Sequence, residues 1–215
     1  HQGRRGEMTD KQIILTDNVL IKLEKHNLNL EGILKIPVGA RAIIIFAHGS
    51  GSSRLSPRNQ YVAQLLNDAG MGTLLFALLT KGEDSQDTLT GELRFNIRLL
   101  ADRVAGATEW LKTYKPAGGL LTGYFGASTG ASAALVAAAE HKDYAYAVVS
   151  RGGRPDLAGD FLPLVAAPTL LIVGGDDTVV IELNKKALAK MKCEKKLEII
   201  PGATHLFEEP GTLEQ

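Results

Sequence analysis

Hydrophobic and polar residues follow two different patterns along this chain of 215 residues. Residues 19–25 and 28–36 alternate apolar and polar positions around a turn at His26-Asn27. Such alternation is typical of an antiparallel hairpin with one face in solvent. We therefore expect this hairpin at one edge of a sheet.

From Ala42 onward, the chain carries short apolar runs without alternation. Such runs are typical of parallel strands that are buried on both faces. Segments with helical periodicity lie between them, and Pro57 suits the first turn of one helix. This succession predicts an α/β doubly wound sheet with right-handed crossovers. The predicted strands are 42–47, 72–78, 120–125, 144–149, 169–173 and 197–200, and the predicted helices are 57–68, 93–113, 129–141 and 181–192.

Composition narrows the class of protein. A hydrophobic fraction of 45% is enough for one domain with a sizeable core. The 24 Lys and Arg residues balance 24 Asp and Glu residues, so neither nucleic acid nor an anionic membrane is an expected partner. No apolar run has the length of a membrane span, and the start of the chain lacks a signal-peptide core. We expect a cytoplasmic protein.

The organisation along the chain is simple. Residues 1–10 are expected to be a flexible tail or an expression remnant, and residues 11–215 a single domain. Only about twenty residues separate the predicted strands at 144–149 and 169–173, so no inserted lid domain is expected there. Cys193 has no partner for an internal disulfide, and we interpret it as structural or incidental.

The segment Gly126-Ala127-Ser128-Thr129-Gly130 follows an apolar run and precedes an Ala-rich helical stretch. The pattern G-x-S-x-G in this position predicts a nucleophile elbow, a strained turn that exposes the serine hydroxyl. A glycine-rich turn that only lets a helix pack close to the sheet is the alternative. The residues that surround the motif have to decide between the two.

A serine nucleophile needs a base, usually histidine, and a carboxylate that orients the base. Both follow Ser128 in the chain. Asp176 and Asp177 come directly after the predicted strand 169–173, and one of them is expected to be a turn residue or a helix cap. His205 follows the last predicted strand and is the candidate base.

A Gly/Ser turn that includes His48, Gly49 and Ser50 follows the predicted strand 42–47. Its backbone can supply an N–H group that forms an oxyanion hole together with the Thr129 amide. The Ser50 amide is our first candidate and the Gly49 amide our second. We interpret His48 as a residue that stabilises this turn. The alternative is that His48 itself is the catalytic base.

These motifs together resemble the α/β-hydrolase superfamily, and the short connections without a lid resemble its dienelactone-hydrolase-like branch. The resemblance extends over the chain from about Val19 and implies a mostly parallel sheet of about eight strands with helices on both faces. It also implies that Asp177 rather than Asp176 is the acid, because it fits the family pattern G-x-x-D-x-x-V. The matching motifs are His48-Gly49, Gly126-Ala127-Ser128-Thr129-Gly130, Gly174 with Asp177 and Val180, and Gly202-Ala203-Thr204-His205.

The chain departs from this branch in two respects. Dienelactone hydrolases use a cysteine nucleophile, whereas position 128 is serine, which favours ordinary ester hydrolysis over lactone chemistry. Members of the family also end in a long helix after the catalytic histidine, but Gln215 follows His205 by ten residues. Either that helix is missing from this sequence, or the sheet face that it covers is left for a partner chain in a homodimer.

Four arginines follow the candidate strand ends and could bind a substrate carboxylate. Arg54 and Arg151 are the candidates for substrate binding, and Arg58 and Arg154 lie near them in the sequence. Local ion pairs are the more ordinary explanation. The acids considered for such pairs are Glu83, Asp84 and Asp156.

The sequence therefore predicts a serine hydrolase that cleaves small carboxylic esters through an acyl-enzyme, with Ser128, His205 and Asp177 as catalytic residues. Neither a metal ion nor an organic cofactor is expected. Thioesterase and perhydrolase activities use the same three residues and remain alternatives. A noncatalytic binding protein with this fold is the alternative from a different class.

Overall fold

The computed structural model describes residues 13–215, so the predicted tail at 1–10 lies outside the described residues. One sheet contains eight strands in the order β1-β2-β4-β3-β5-β6-β7-β8. Only β2 runs against the other seven, because its pairings with β1 and β4 are antiparallel and the remaining pairings are parallel. The strands are β1 (Ile13–Leu23), β2 (Leu28–Pro37), β3 (Ala42–Ala47), β4 (Gly72–Phe76), β5 (Leu121–Ala127), β6 (Val148–Arg151), β7 (Thr169–Gly174) and β8 (Lys195–Ile200).

The predicted hairpin is confirmed at one edge of the sheet. In β1, Ile21 is fully buried and its neighbour Leu20 is 63% exposed, as expected for a strand with one wet face. Asn27 adopts the left-handed conformation between the two strands, with φ at 49°. The α/β-hydrolase fold implied by the resemblance is confirmed as well.

Helices pack on both faces of the sheet. Successive strand residues point to opposite faces, so Ile45 joins the large core under α3 and α4, whereas Phe46 packs against α1. All of α4 except Glu140 is buried, which explains its Ala-rich sequence. The helices are α1 (Pro57–Asp68), α2 (Lys81–Thr90), α3 (Ile97–Thr113), α4 (Thr129–Glu140) and α5 (Thr178–Lys190).

Several elements differ from the sequence prediction. Strand β4 ends at Phe76 instead of residue 78, α3 begins at Ile97 instead of residue 93, and α5 begins at Thr178 instead of residue 181. Helix α2 was not predicted, because Leu89 is its only large apolar residue and is 88% exposed. Its signal is a capping box, in which Thr80 and Glu83 bond each other's backbone N–H groups. Strand β6 begins at Val148 and extends to Arg151, so Arg151 belongs to the strand and not to the loop after it.

The connections leave the carboxyl ends of the parallel strands accessible. Residues Pro155–Leu164 form 3-10 turns between β6 and β7, and no lid domain is inserted among the described residues. The part of the chain after His205 that the structure describes contains turns and no helix. Ile199 of the edge strand β8 remains 41% exposed. None of the helices within residues 13–215 is both long and apolar enough to cross a membrane.

Candidate active site

Ser128 lies in the tight turn between β5 and α4. Its φ of 51° and ψ of −125° place a non-glycine residue in a strained conformation, which is typical of functional sites. Glycine is required on both sides for steric reasons. A Cβ at Gly126 would collide with the backbone of Ala131, and a Cβ at Gly130 would collide with the carbonyl oxygen of Ala47.

His205 and Asp177 form a hydrogen bond at the same edge of the sheet. His205 Nδ1 lies 2.7 Å from Asp177 Oδ2, and the carboxylate can only accept, so Nδ1 carries the proton. The Asp177 side chain is 14% exposed and makes no capping bond to α5, although it occupies the N-cap position. Asp176 is exposed and has no part in this contact.

A cavity of about 300 Å³ brings the candidate residues together. Ser128 and His205 both line it, although no hydrogen bond joins the Ser128 hydroxyl to His205 in this structure. Gly152, with φ at 54°, lies beneath the histidine, and a Cβ there would lie 2.9 Å from the His205 carbonyl oxygen. Among the described residues, the His205 ring bonds only Asp177, through Nδ1, so its Nε2 atom is left for a reacting group.

The turn after β3 lies directly against the elbow. A Cβ at Gly49 would lie 2.9 Å from the Cβ of Ser128, so only glycine allows this approach. The hydroxyls of Ser50 and Thr129 lie 2.9 Å apart and connect the two turns. The backbone amides of these two residues have no partner among the described residues, which leaves both free to bind an oxyanion.

His48 braces this turn, as its sequence position predicts. Its Nε2 accepts a hydrogen bond of 3.0 Å from the Leu78 amide, and its Nδ1 lies 2.9 Å from the Gly49 carbonyl oxygen. Burial lowers the pKa of His48 below its ordinary value of 6.5. Both ring nitrogens are occupied in the neutral form, so His48 is unsuited to the role of the base.

The candidate arginines have different environments. Arg54 pairs with Glu31 at 3.0 Å and does not line the cavity that contains Ser128. Arg154 pairs with Asp156, as the ordinary explanation predicts. Glu83 pairs instead with Arg103, which was not among the arginines considered.

Arg151 is buried and lines the Ser128 cavity. Its Nη2 donates a hydrogen bond of 2.8 Å to Asn59 Oδ1 on α1. This role of Asn59 was not predicted, because the strand prediction ended at Val149 and nothing in the sequence links β6 to α1 across 92 residues.

Cys193 lies far from this site. It is half-buried, and its sulfur contacts the hydroxyl of Thr169 at 3.9 Å. Thr169 begins β7, whereas Ser128 follows the end of β5, so the two positions lie at opposite ends of parallel strands. The interpretation of Cys193 as structural or incidental agrees with this position.

The match to a family model decides the family. The model of the dienelactone hydrolase family matches residues 30–213, which include the whole of the candidate site. The chain belongs to the dienelactone hydrolase family. The family assignment therefore supports an enzyme with hydrolase activity.

Solved structures of related proteins agree with this assignment. The crystal structure of a dienelactone hydrolase from Anabaena variabilis is 56% identical, has a TM-score of 0.90, and the match covers 93% of this chain and 92% of that one. Est1E from Butyrivibrio proteoclasticus has a TM-score of 0.75 at 16% identity, with 92% of this chain and 93% of that chain covered, and shows the shared fold alone.

Two relatives of this chain have a name that indicates an activity other than hydrolysis. They are proteins of Mycobacterium tuberculosis, provisionally named phosphoribosyl transferases, and each is 58% identical over 184 residues. The match covers 86% of this chain but only 41% of each relative. The name therefore describes proteins that are more than twice as long as the matched region.

Proposed function

We propose that this member of the dienelactone hydrolase family is a serine hydrolase that cleaves carboxylic esters through an acyl-enzyme. One observation carries the proposal: Ser128 and His205 line the same cavity, and His205 is hydrogen-bonded to Asp177. The strained backbone of Ser128 supports it, because such strain persists where the surrounding structure enforces it for function.

In the proposed reaction, the Ser128 hydroxyl attacks the acyl carbon while His205 Nε2 takes its proton. Asp177 keeps the other proton of the ring on Nδ1 and stabilises the charged imidazolium that forms. The ester C–O bond then breaks, and His205 returns the proton to the leaving alcohol. Water, activated by the same histidine, releases the acid and restores the serine.

Negative charge develops on the carbonyl oxygen in both steps. We assign the binding of this charge to the Thr129 amide, at the positive end of α4, and to the Ser50 amide. The hydrogen bond between the hydroxyls of these residues supports this role, because it fixes the spacing of the two turns before substrate binds. Donors arranged in advance in this way need no reorganisation during the reaction.

Thioesters and peroxide acceptors engage the same residues, so thioesterase and perhydrolase activities are variants of this proposal. Phosphoribosyl transfer is not carried over to this chain. The relatives with that name have 59% of their length outside the match, and the matched 86% of this chain contains the hydrolase fold described above.

Turnover of a short p-nitrophenyl ester tests the proposal. We expect the wild-type protein to release p-nitrophenol and Ser128→Ala to lose the activity by at least about 10³-fold. Ser85→Ala is the matched control, because Ser85 lies exposed on α2 and does not line the Ser128 cavity. Equal rates for Ser128→Ala and the wild type would refute a serine nucleophile and favour a noncatalytic protein or another reaction.

A further inference from the structure

Arg151 has an unused hydrogen-bond donor inside the candidate active site. The residue is only 9% exposed, and its Nη1 is buried without a partner among the described residues. Its Nη2 bonds Asn59, which is neutral, and the guanidinium lies over the Phe125 ring at 5.4 Å. No carboxylate of the described residues pairs with this charge.

A buried guanidinium without an acidic partner lowers the stability of a folded protein. A buried charge without a counter-ion loses hydration that neither Asn59 nor an aromatic ring fully replaces. Burial, with the nearby positive charge of Arg58, lowers the pKa of Arg151 to about 10. The group is still charged at neutral pH, so the cavity holds a fixed positive charge.

Other features of the cavity favour an anion. Arg58 also lines it, and its only acidic partner within residues 13–215 is a distant one, Glu208, at 4.0 Å. The amino end of α1 faces the same space through Ser56 and Asn59 and adds the positive end of a helix dipole. Among the described residues, no Asp or Glu lines this cavity. The counter-charge is therefore expected to come from a ligand.

We infer that Arg151, assisted by Arg58, binds a carboxylate or phosphate group of the ester that Ser128 attacks. This inference rests on the proposed function and names its substrate class. Arg151 is the strand neighbour of Ala127, the residue before Ser128. Adjacent strands are about 4.8 Å apart, so the anionic group binds only a few bonds from the reacting carbonyl. The volume of about 300 Å³ suits a small substrate.

Paired esters with and without a negative charge test this inference. The carboxylate arm compares p-nitrophenyl hydrogen glutarate with p-nitrophenyl valerate. The phosphate arm compares 4-acetoxyphenyl phosphate with 4-methoxyphenyl acetate. We expect a higher kcat/KM for the charged member of at least one pair, and Arg151→Met should lower that value roughly ten- to hundredfold while the neutral ester changes less than threefold.

Two further variants separate charge recognition from general damage. Arg151→Lys should recover part of the preference, because it keeps the charge but loses the planar fork. Arg98→Met is the matched control, since Arg98 pairs with Asp102 and Glu140 on the surface of α3 and does not line the cavity. An equal loss for charged and neutral esters in Arg151→Met, or no preference in the wild type, would overturn the inference.

Binding measurements distinguish failure of this inference from failure of the proposed function. Calorimetric titration of Ser128→Ala with glutarate and with inorganic phosphate needs no turnover. We expect at least one anion to bind, and Ser128→Ala with Arg151→Met to bind it at least tenfold more weakly. Anion binding without ester turnover in the wild type would support the anion site and refute the esterase. Ester turnover without anion binding would refute the anion site alone.

Discussion

Replacing Asp177 with asparagine removes the negative charge that holds His205. The carboxylate oxygen lies 2.7 Å from Nδ1. For charges about 4 Å apart at an effective dielectric constant of about 20, the interaction with the imidazolium is about 4 kcal/mol. That dielectric value suits the pair, because the His205 side chain is 39% exposed. The expected loss in kcat is therefore about 10³-fold.

Asparagine has a second effect in the same direction. Its amide N–H can donate to Nδ1, which moves the remaining proton to Nε2, where His205 can no longer accept a proton from Ser128. The assay is steady-state turnover of a p-nitrophenyl ester at pH 7, with unfolding temperature measured in parallel. Asp176→Asn is the matched control and should stay within about twofold of the wild type, because Asp176 is exposed. A large loss for Asp176→Asn with little change for Asp177→Asn would refute the assignment.

Three other substitutions test the surroundings of the site. Because burial lowers the pKa of His48 in the folded protein, the unfolded chain takes up a proton at a higher pH, and the free energy of unfolding should decrease as the pH drops below 6.5. Thermal melts between pH 7 and 5.5 should therefore show a smaller decrease in unfolding temperature for His48→Asn than for the wild type. Equal decreases would contradict this. Arg103 lowers the pKa of Glu83 to about 2, so Glu83→Gln should lower the free energy of unfolding by about 1–2 kcal/mol at pH 7. Denaturant melts should show the difference between the variant and the wild type shrinking as the pH falls from 4.5 towards 2. A difference that stays constant would refute the ion pair as its cause. Gly130→Ala should lower the free energy of unfolding by at least about 2 kcal/mol and abolish ester turnover, because its methyl group collides with the β3 carbonyl at Ala47; a wild-type melt and rate would refute this close contact.

Local patterns were enough to predict the order of the strands and of four of the five helices in the described residues. Runs such as Ala42–Ala47 are apolar on both faces because helices cover both sides of the sheet there. The same logic failed for α2, which packs few apolar side chains and is stabilised at its start by the Thr80 capping box. A hydrophobic period cannot reveal a helix of this kind.

The candidate site could be predicted as far as its residues follow strand ends. The residues proposed as acid, base and nucleophile each follow a strand, and parallel strands bring their carboxyl ends to one edge. The environment of Arg151 could not be predicted in this way. Its contacts with Asn59 and Phe125 depend on how α1 packs across the sheet, and its missing acidic partner is a property of the assembled cavity.

The central claim is that Ser128 is an activated nucleophile. Treatment of the folded protein with a fluorophosphonate, followed by peptide mass spectrometry, tests it most directly. The account predicts one phosphonate per chain, attached to Ser128, and far slower labelling of His205→Ala. No adduct on Ser128 in the folded wild-type protein, or labelling confined to another serine, would contradict it.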